Sequence, residues 1–416
     1  MDQVMFGGNG TIELPAGAVQ YAPILGSFSF NENVEGETRS VIPSAGKLRY
    51  LRFVLNDAPG GAGKDYTFHL MLNGAPTALV VVIANLATSG SDMANEIDVV
   101  AGDEVSLRCT PTGTPDKTEA RYTIQFTGST AGESIILGST TNNILDSGAT
   151  GYRRVMGCGA ALVANENEAR EIVPTAGTIK NLYVELSLDP GDDPEAYRFT
   201  VRLNGATVGQ SLIVTITADA TTGNDVAHNL VVAAGDVLTM MIEPLNTPTV
   251  EPTARWGMTF VATIDGESLV LSGTAETIGA ELNNGHNYIE TDGRLFSLSS
   301  SWSLGQITTL RKMHWLLSAA PGGVTTRTLT IEIAVGGDGN QSVTIVDPNT
   351  WGSDLVNTDV LVNDNVVGVR QSFTGAPAAA YACWSVVGYI DPAAPPADLG
   401  NKSANMGSKM VGAGLI

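Results

Sequence analysis

The chain has 416 residues, a length that suits two to four domains. Only 16% of the residues are charged and 47 are glycine, which disfavours long solvent-facing helices and favours short strands joined by tight turns. The formal net charge is −21, and Lys and Arg form no cluster, so the composition argues against a nucleic-acid partner.

The first element in chain order is an N-terminal arm, residues 1–20. It has neither the basic segment nor the apolar core of a secretory signal, so we expect no signal peptide. No run approaches 18 apolar residues, so we also expect no transmembrane segment and no membrane partner. A protein with surface-like composition and no export signal fits assembly in a host cytoplasm, followed by release with a virion.

Two long segments then repeat one sequence pattern. Residues 66–74 recur as residues 197–205, an offset of 131 positions, and Pro59-Gly60 recurs as Pro190-Gly191 at the same offset. The tetrapeptide at 100–103 is matched at 233–236, so the offset drifts slowly, as small loop insertions produce. The pattern predicts two copies of one domain, residues 21–150 and 151–282, each large enough to fold alone.

Within each copy the apolar residues alternate with polar ones. Tyr197, Phe199 and Val201 alternate with polar residues, which predicts a strand with one buried face. The Asn204-Gly205 pair that follows is typical of a type I′ hairpin turn. Turn signals every 8 to 15 residues predict an antiparallel β-sandwich of the jelly-roll type. A short helical turn is predicted within residues 86–96.

A third, divergent copy is predicted over residues 283–390. Ala320-Pro321-Gly322 stands where the second copy has Asp189-Pro190-Gly191, and residues 328–337 replace the strand and its turn. Four of the five tryptophans lie in this copy. We therefore predict that Trp302, Trp315 and Trp351 contact a partner of their own.

The chain closes with a C-terminal tail, residues 391–416. It opens with a proline-rich spacer and continues as a glycine-rich segment. We predict that this tail orders against a neighbouring chain, as the arms of shell and fibre proteins do. The predicted contacts are Lys402, Lys409, Leu415 and Ile416.

No residue pattern indicates catalysis. The sequence has no nucleophile elbow, zinc-protease motif or P-loop, and Cys109, Cys158 and Cys383 are too sparse for a disulfide framework. We expect buried, free cysteines, no enzyme activity and no cofactor. Structural Ca²⁺ is the alternative reading of the acidic segments 192–195 and 363–365, although turn geometry explains both equally well.

The repeated segments resemble tandem β-sandwich proteins of phage particles, namely head-decoration, fibre and spike components. The resemblance covers residues 21–390 and is carried by Pro59-Gly60, the segments 66–74 and 100–103, and their counterparts in the second copy. It implies three tandem antiparallel β-sandwich domains with extended terminal arms. It also implies a structural role at a virion surface, without catalytic residues.

The expected partners are other copies of this chain, in a homo-oligomer such as a trimer, and a major capsid or other virion protein. Three similar domains in one chain could occupy pseudo-equivalent positions around a threefold site. Three alternatives stay open: a glycan-binding adhesin or receptor-binding fibre, a bacterial surface filament subunit, and a β-sandwich carbohydrate-active enzyme. The enzyme would need two acids in one cleft, and no residue pattern selects such a pair.

Overall fold

The structure is a computed structural model. It describes residues 2–8, 12–26, 30, 32–158, 161–274, 276–279, 283–289, 302–303, 308–333, 337–361 and 366–390. Over these residues the chain is all-β, with 27 strands and two one-turn 3-10 helices, Glu35–Glu37 and Glu166–Glu168. The predicted fold class is confirmed.

The first unit contains nine strands in two antiparallel sheets. The sheets are ordered β1-β9-β4-β7 and β2-β8-β5-β6, with β3 beside β8. The strands are β1 (Asp2–Gly8), β2 (Gln20–Ala22), β3 (Ser40–Val41), β4 (Gly46–Leu55), β5 (Asp65–Leu72), β6 (Ala75–Ala84), β7 (Ser89–Val99), β8 (Glu104–Thr112) and β9 (Ala120–Gly128).

The second unit repeats this arrangement, with sheets β10-β18-β13-β16 and β11-β17-β14-β15 and with β12 beside β17. Its strands are β10 (Glu133–Ser139), β11 (Gly151–Arg153), β12 (Glu171–Ile172), β13 (Gly177–Leu186), β14 (Ala196–Leu203), β15 (Ile213–Thr217), β16 (Thr222–Val232), β17 (Val237–Leu245) and β18 (Ala254–Ala262).

The third unit has sheets β19-β27-β22-β25 and β20-β26-β23-β24, with β21 beside β26. Its strands are β19 (Glu267–Gly273), β20 (Gly285–Tyr288), β21 (Trp302–Ser303), β22 (Thr308–Leu317), β23 (Thr326–Ile333), β24 (Asp338–Val346), β25 (Trp351–Leu361), β26 (Val366–Thr374) and β27 (Ala382–Tyr389).

All three units share one connectivity. When the two-residue strand is set aside, the eight main strands of a unit are ordered 1-8-3-6 in one sheet and 2-7-4-5 in the other. Consecutive strands alternate between the two facing sheets, except for strands 4 and 5, which pair within one sheet. This is the jelly-roll arrangement. Each sandwich encloses buried apolar side chains, among them Phe53 stacked on Phe68 with ring centroids 3.8 Å apart.

Sheet pairing places the unit boundaries earlier than the sequence predicted. Residues 2–8 pair with β9 as the first strand of unit 1, so the prediction of an N-terminal arm over residues 1–20 is wrong for this segment. Likewise β10 and β19 pair with the last strands of units 2 and 3, not within the preceding repeats. The reason is that β10 and β19 are buried on both faces, so their sequences lack the alternation of a half-exposed strand.

The predicted hairpins are confirmed, and the predicted helical turn is wrong. Asn73-Gly74 and Asn204-Gly205 all have positive φ, between 49° and 81°, as a type I′ turn requires. Residues 86–96 contain no helix; most of them belong to strand β7. The pairing of β4 with β7 contains a bulge, where the register shifts between Arg49 and Leu51.

The same bulge recurs in all three units. Tyr50, Asn181 and Lys312 have φ of 55°, 56° and 56° and interrupt the register of β4, β13 and β22. Few side chains tolerate this conformation, so its threefold repetition indicates a feature of the common fold.

A buried aspartate caps each bulge from the edge strand opposite. In unit 1, Asp92 accepts hydrogen bonds from the backbone N–H groups of Ala94 and Asn95 in its own strand and of Val80 in β6. Its carboxylate therefore joins the two sheets at the edge of the sandwich. Asp225 and Asp354 make the equivalent bonds in units 2 and 3.

These hydrogen bonds also set the charge state of the aspartates. Burial alone would raise the pKa of Asp92, but the side-chain bond from Asn95 and the three backbone bonds lower it. The pKa values of Asp225 and Asp354 are lowered in the same way. All three side chains are therefore stabilised as carboxylates.

We predict that Asp92→Ala lowers the free energy of unfolding by about 2–3 kcal/mol, because three backbone N–H groups lose their acceptor. The matched control is Asp98→Ala in the same strand, which removes a carboxylate that is 86% exposed and should change stability by less than about 0.5 kcal/mol. Thermal unfolding with hydrogen exchange over β6 and β7 measures both.

The Asp92 contribution should depend on pH in a defined direction. A lowered folded-state pKa means that the stabilisation is complete above the unfolded-state pKa, about 3.9, and is lost as the pH falls through the folded-state value. The stability gap between wild type and Asp92→Ala should therefore narrow below about pH 4. A gap that widens on acidification would contradict this account.

Candidate functional site: the ring of inter-unit contacts

The three units close into a ring. Strand β3 of unit 1 lies against β10, β13 and β18 of unit 2, and β12 of unit 2 lies against β19, β22 and β27 of unit 3. Strand β21 of unit 3 then lies against β1 and β9 of unit 1. The same short strand of each unit thus meets the same sheet of the next unit, so the units are related by a pseudo-threefold axis.

The first strand of each unit lines this axis. Strand β10 contacts both β1 and β19. Alternate side chains divide between two cores: Val270 packs inside unit 3, whereas its neighbours Leu269 and Leu271 join the core shared by units 1 and 2. Conversely, Val4 and Phe6 of unit 1 belong to the core of unit 3. The axis is therefore a continuous apolar contact among the units.

A glutamine side chain extends this contact between units 1 and 2. The amide of Gln3 donates to the carbonyl of Ile135 over 2.9 Å and accepts from the N–H of Ile135 over 2.8 Å. Gln3 is buried, and its amide imitates the pairing of a neighbouring strand. It satisfies backbone groups that would otherwise lose their water at the axis.

The interface between units 1 and 2 also contains a charge network around Arg255. Its guanidinium is 2.5 Å from the carboxylate of Glu104 in unit 1 and 2.6 Å from that of Glu185 in unit 2. It also donates to the carbonyl of Gly36. Arg39 completes the network by pairing with Glu104 at 2.6 Å.

The two carboxylates of this network differ in acidity. Burial raises the pKa of Glu185, and the adjacent Glu104 adds to the rise against the opposing effect of Arg255. Burial alone would also raise the pKa of Glu104, but the bond from Glu185 and the charges of Arg255 and Arg39 lower it. Glu104 therefore ionises before Glu185, and the guanidinium of Arg255 holds the pair together.

The interface between units 2 and 3 has a different composition. The carboxylate of Glu171 is buried and accepts from the N–H groups of Val155 and Met156 at 2.7 and 3.0 Å. Burial raises the pKa of Glu171 to about 7, against the lowering effect of Arg154. Arg154 in turn donates to the carbonyl of Thr274 in unit 3 over 2.8 Å.

A second polar contact joins units 2 and 3 near the axis. The carboxylate of Glu267, which is fully buried, accepts from the hydroxyl of Thr175 in unit 2 at 2.5 Å. It also pairs with Arg311 and Lys312 of its own unit, each at 2.6 Å. The acid that starts β19 is therefore held from both sides of the interface.

The strand order also defines an outer rim. In each four-stranded sheet the first strand lies at the axis and β7, β16 or β25 is the opposite edge. We call these three the rim strands. In the strand order they are the strands of these sheets most distant from the axis.

The residues that the sequence predicts as partner contacts differ in where the structure places them. Trp351 lies on a rim strand and is 54% exposed. The prediction for Trp315 is wrong, because its side chain is fully buried in unit 3 on the inner face of β22. Trp302 lies in β21, the strand that meets unit 1. Lys402, Lys409, Leu415 and Ile416 lie outside the described residues.

The remaining chemical predictions have mixed outcomes. The three cysteines are free and buried, as predicted. In the acidic segment 192–195, Glu195 accepts from the N–H and hydroxyl of Thr249, both at 2.8 Å, which is a turn role. Residues 363–365 lie outside the described residues. Across the part of the chain that the structure describes, no three His, Cys, Asp or Glu side chains converge as a metal site.

Sequence reasoning missed the residues that join the units. Arg255 carries no sequence motif that marks it as an inter-unit residue, and its neighbour Trp256 is buried in the core. The available signal was a polar residue at the start of a first strand, as with Gln3 in β1 and Glu267 in β19, which both bond across units. Those positions became recognisable only once the strand pairing was known.

Comparison with known proteins assigns the chain to no family. No family model matches the chain, and no curated protein matches its sequence. Among the described residues, none forms a helix with the length and apolarity needed to cross a membrane.

We predict that Arg255→Met lowers the free energy of unfolding by about 2–3 kcal/mol, because it leaves the half-buried carboxylates of Glu104 and Glu185 without their shared cation. The matched control is Arg198→Met, which breaks a pair with Glu243 at a site where Arg198 is 40% exposed, and should cost less than about 1 kcal/mol. Thermal unfolding measures both. The deficit of Arg255→Met should shrink on acidification, since Glu104 and Glu185 then become neutral; equal deficits in both variants would contradict the assignment.

Proposed function

We propose that this chain is a structural component of a virus or phage particle surface, a capsid decoration or capsid-associated protein that occupies a threefold position. It acts through contacts with the lattice and with other copies, and it catalyses no reaction. The observation that carries the proposal is the closed pseudo-threefold ring of jelly rolls in one chain.

The ring geometry supports this role because it provides three related binding surfaces in one molecule. A pseudo-threefold ring presents three related surfaces at once to a partner that is itself threefold symmetric. Three contacts that are each weak bind together much more tightly than one, because the second and third form at a high effective concentration. The partner that fits is a major capsid or other virion protein arranged around a threefold axis.

Fold and charge are consistent with the same role. Jelly rolls occur in viral capsid proteins and in lectins, which raises the expectation of a structural or binding role without identifying one. The net charge of −21 disfavours binding to the packaged nucleic acid and favours the outer surface. The proposed location is therefore the virion exterior, after assembly in a host cytoplasm.

Cryo-electron microscopy of isolated particles tests the proposal. Val324 is fully exposed and the three native cysteines are buried, so Val324→Cys can carry a single gold label. We expect each label to mark a three-lobed density on a threefold axis of the particle. Labelled chain that sediments entirely apart from particles, or that decorates them away from threefold positions, would contradict the proposal.

A glycan-binding role is the second candidate, and one observation favours it. The indole of Trp351 is exposed on a jelly-roll surface, and exposed aromatic rings stack on sugars. Trp256, Trp315 and Trp384 offer no such surface, because all three are buried.

A glycan array separates this candidate from the first. If the chain is a glycan reader, wild type should bind a defined sugar class, and Trp351→Ala should weaken that binding at least about tenfold with an unchanged melting temperature. Ser89→Ala at the corresponding rim position of unit 1 is the control. An array without signal would remove the candidate.

A further inference from the structure

The outward face of the rim strand β25 carries an uncharged, largely apolar row. Trp351, Leu355, Val356 and Val360 are 54%, 60%, 88% and 57% exposed. The bulge at residues 355–356 shifts the alternation by one, so residues before and after it share this face. The exposed residues between them, Ser353 and Thr358, are also uncharged.

The other two rim strands show that the fold does not require this row. The caps Asp92, Asp225 and Asp354 align the three strands. Where unit 3 has Thr358 and Val360, unit 1 has the exposed Glu96 and Asp98. In unit 2 the position of Trp351 is occupied by Thr222. Unit 2 keeps the exposed Val226 and Val231 but has Asn224 and Asn229 where unit 3 has Ser353 and Thr358. Charged or polar residues on an edge strand protect it from association, and unit 3 has the most apolar of the three rows.

The residue types in this row are symmetric about its midpoint. A midpoint between Leu355 and Val356 relates Trp351 to Val360 and Ser353 to Thr358, so apolar positions exchange with apolar and hydroxyl with hydroxyl. Such a pattern is self-complementary about a twofold axis, which is the requirement for a contact between two identical surfaces.

The charge distribution of the molecule favours a second copy of this chain as the partner at this row. A molecule with a net charge of −21 repels its own copies over most approaches, and this row lets two copies meet without opposing like charges. The N–H groups of Val356 and Asn357 already bind Asp354, so the centre of the strand is not open to strand addition. The contact is therefore one of side chains.

We propose that two copies of this chain dimerise through β25, with the two rows packed antiparallel about a twofold axis at residues 355–356. The indole of Trp351 in one copy then covers Val360 of the other. This inference goes beyond the role at a particle, because it uses only the described rim of unit 3 and concerns the purified chain in solution.

Sedimentation velocity over a range of concentrations tests the dimer. Wild type should show a monomer–dimer equilibrium, and Leu355→Asp should weaken it at least about tenfold, because it places two carboxylates at the twofold axis. The matched control is Val226→Asp at the corresponding position of unit 2, where the valine is 56% exposed. It should leave the equilibrium unchanged.

Cysteine crosslinking identifies the axis. Val356→Cys should form an intermolecular disulfide on mild oxidation, whereas Ala227→Cys at the equivalent position of unit 2 should not; the native cysteines are buried and give no background. The proposal is overturned if wild type is monomeric throughout, if Leu355→Asp behaves as wild type, or if both cysteine variants crosslink equally. If wild type is monomeric and its glycan binding requires Trp351, the row is a sugar-binding surface and not a dimer contact.

Discussion

Burial of the first strand on both faces is the constraint on which the ring depends. Strands β10 and β19 each close one edge of their own sandwich and also form the wall against a neighbouring unit. A unit separated from the ring would expose side chains such as Leu269 and Leu271 to water, at about 1.5–3 kcal/mol for each large apolar group. Folding of the units and closure of the ring are therefore coupled through the same residues.

The apolar axis by itself would not fix the order of the units, because similar side chains occur at each position. The polar interfaces supply that order. The position of Glu104 in unit 1 is occupied by Val237 in unit 2 and by Val366 in unit 3, so only unit 1 offers this carboxylate to Arg255. Placing the wrong unit there would leave a buried charge without its partner, which is costly. Buried polar contacts thus act as specificity elements in the ring.

The sequence predicted local features well and non-local ones poorly. Asn204-Gly205 could be assigned because a turn is determined by the residues within it. Trp315 could not be assigned to a face, because the bulge at Lys312 shifts the alternation along β22. Arg255 resembled any strand arginine until ring closure brought Glu104, 151 positions earlier in the sequence, within 2.5 Å. The missed elements are those whose environment is created by another unit.

Joining the units in one chain has a consequence for the rim that a homotrimer would not allow. In a homotrimer, an apolar row on the rim would appear three times, and each ring would bind three neighbours in an open network. Among the described rim strands, only β25 carries an exposed tryptophan in this row. Glu96 and Asp98 keep the corresponding face of β7 charged, and Asn224 and Asn229 interrupt that of β16. One self-complementary rim limits association to a closed pair. Covalent linkage therefore retains the threefold arrangement at the axis while allowing the three rims to diverge.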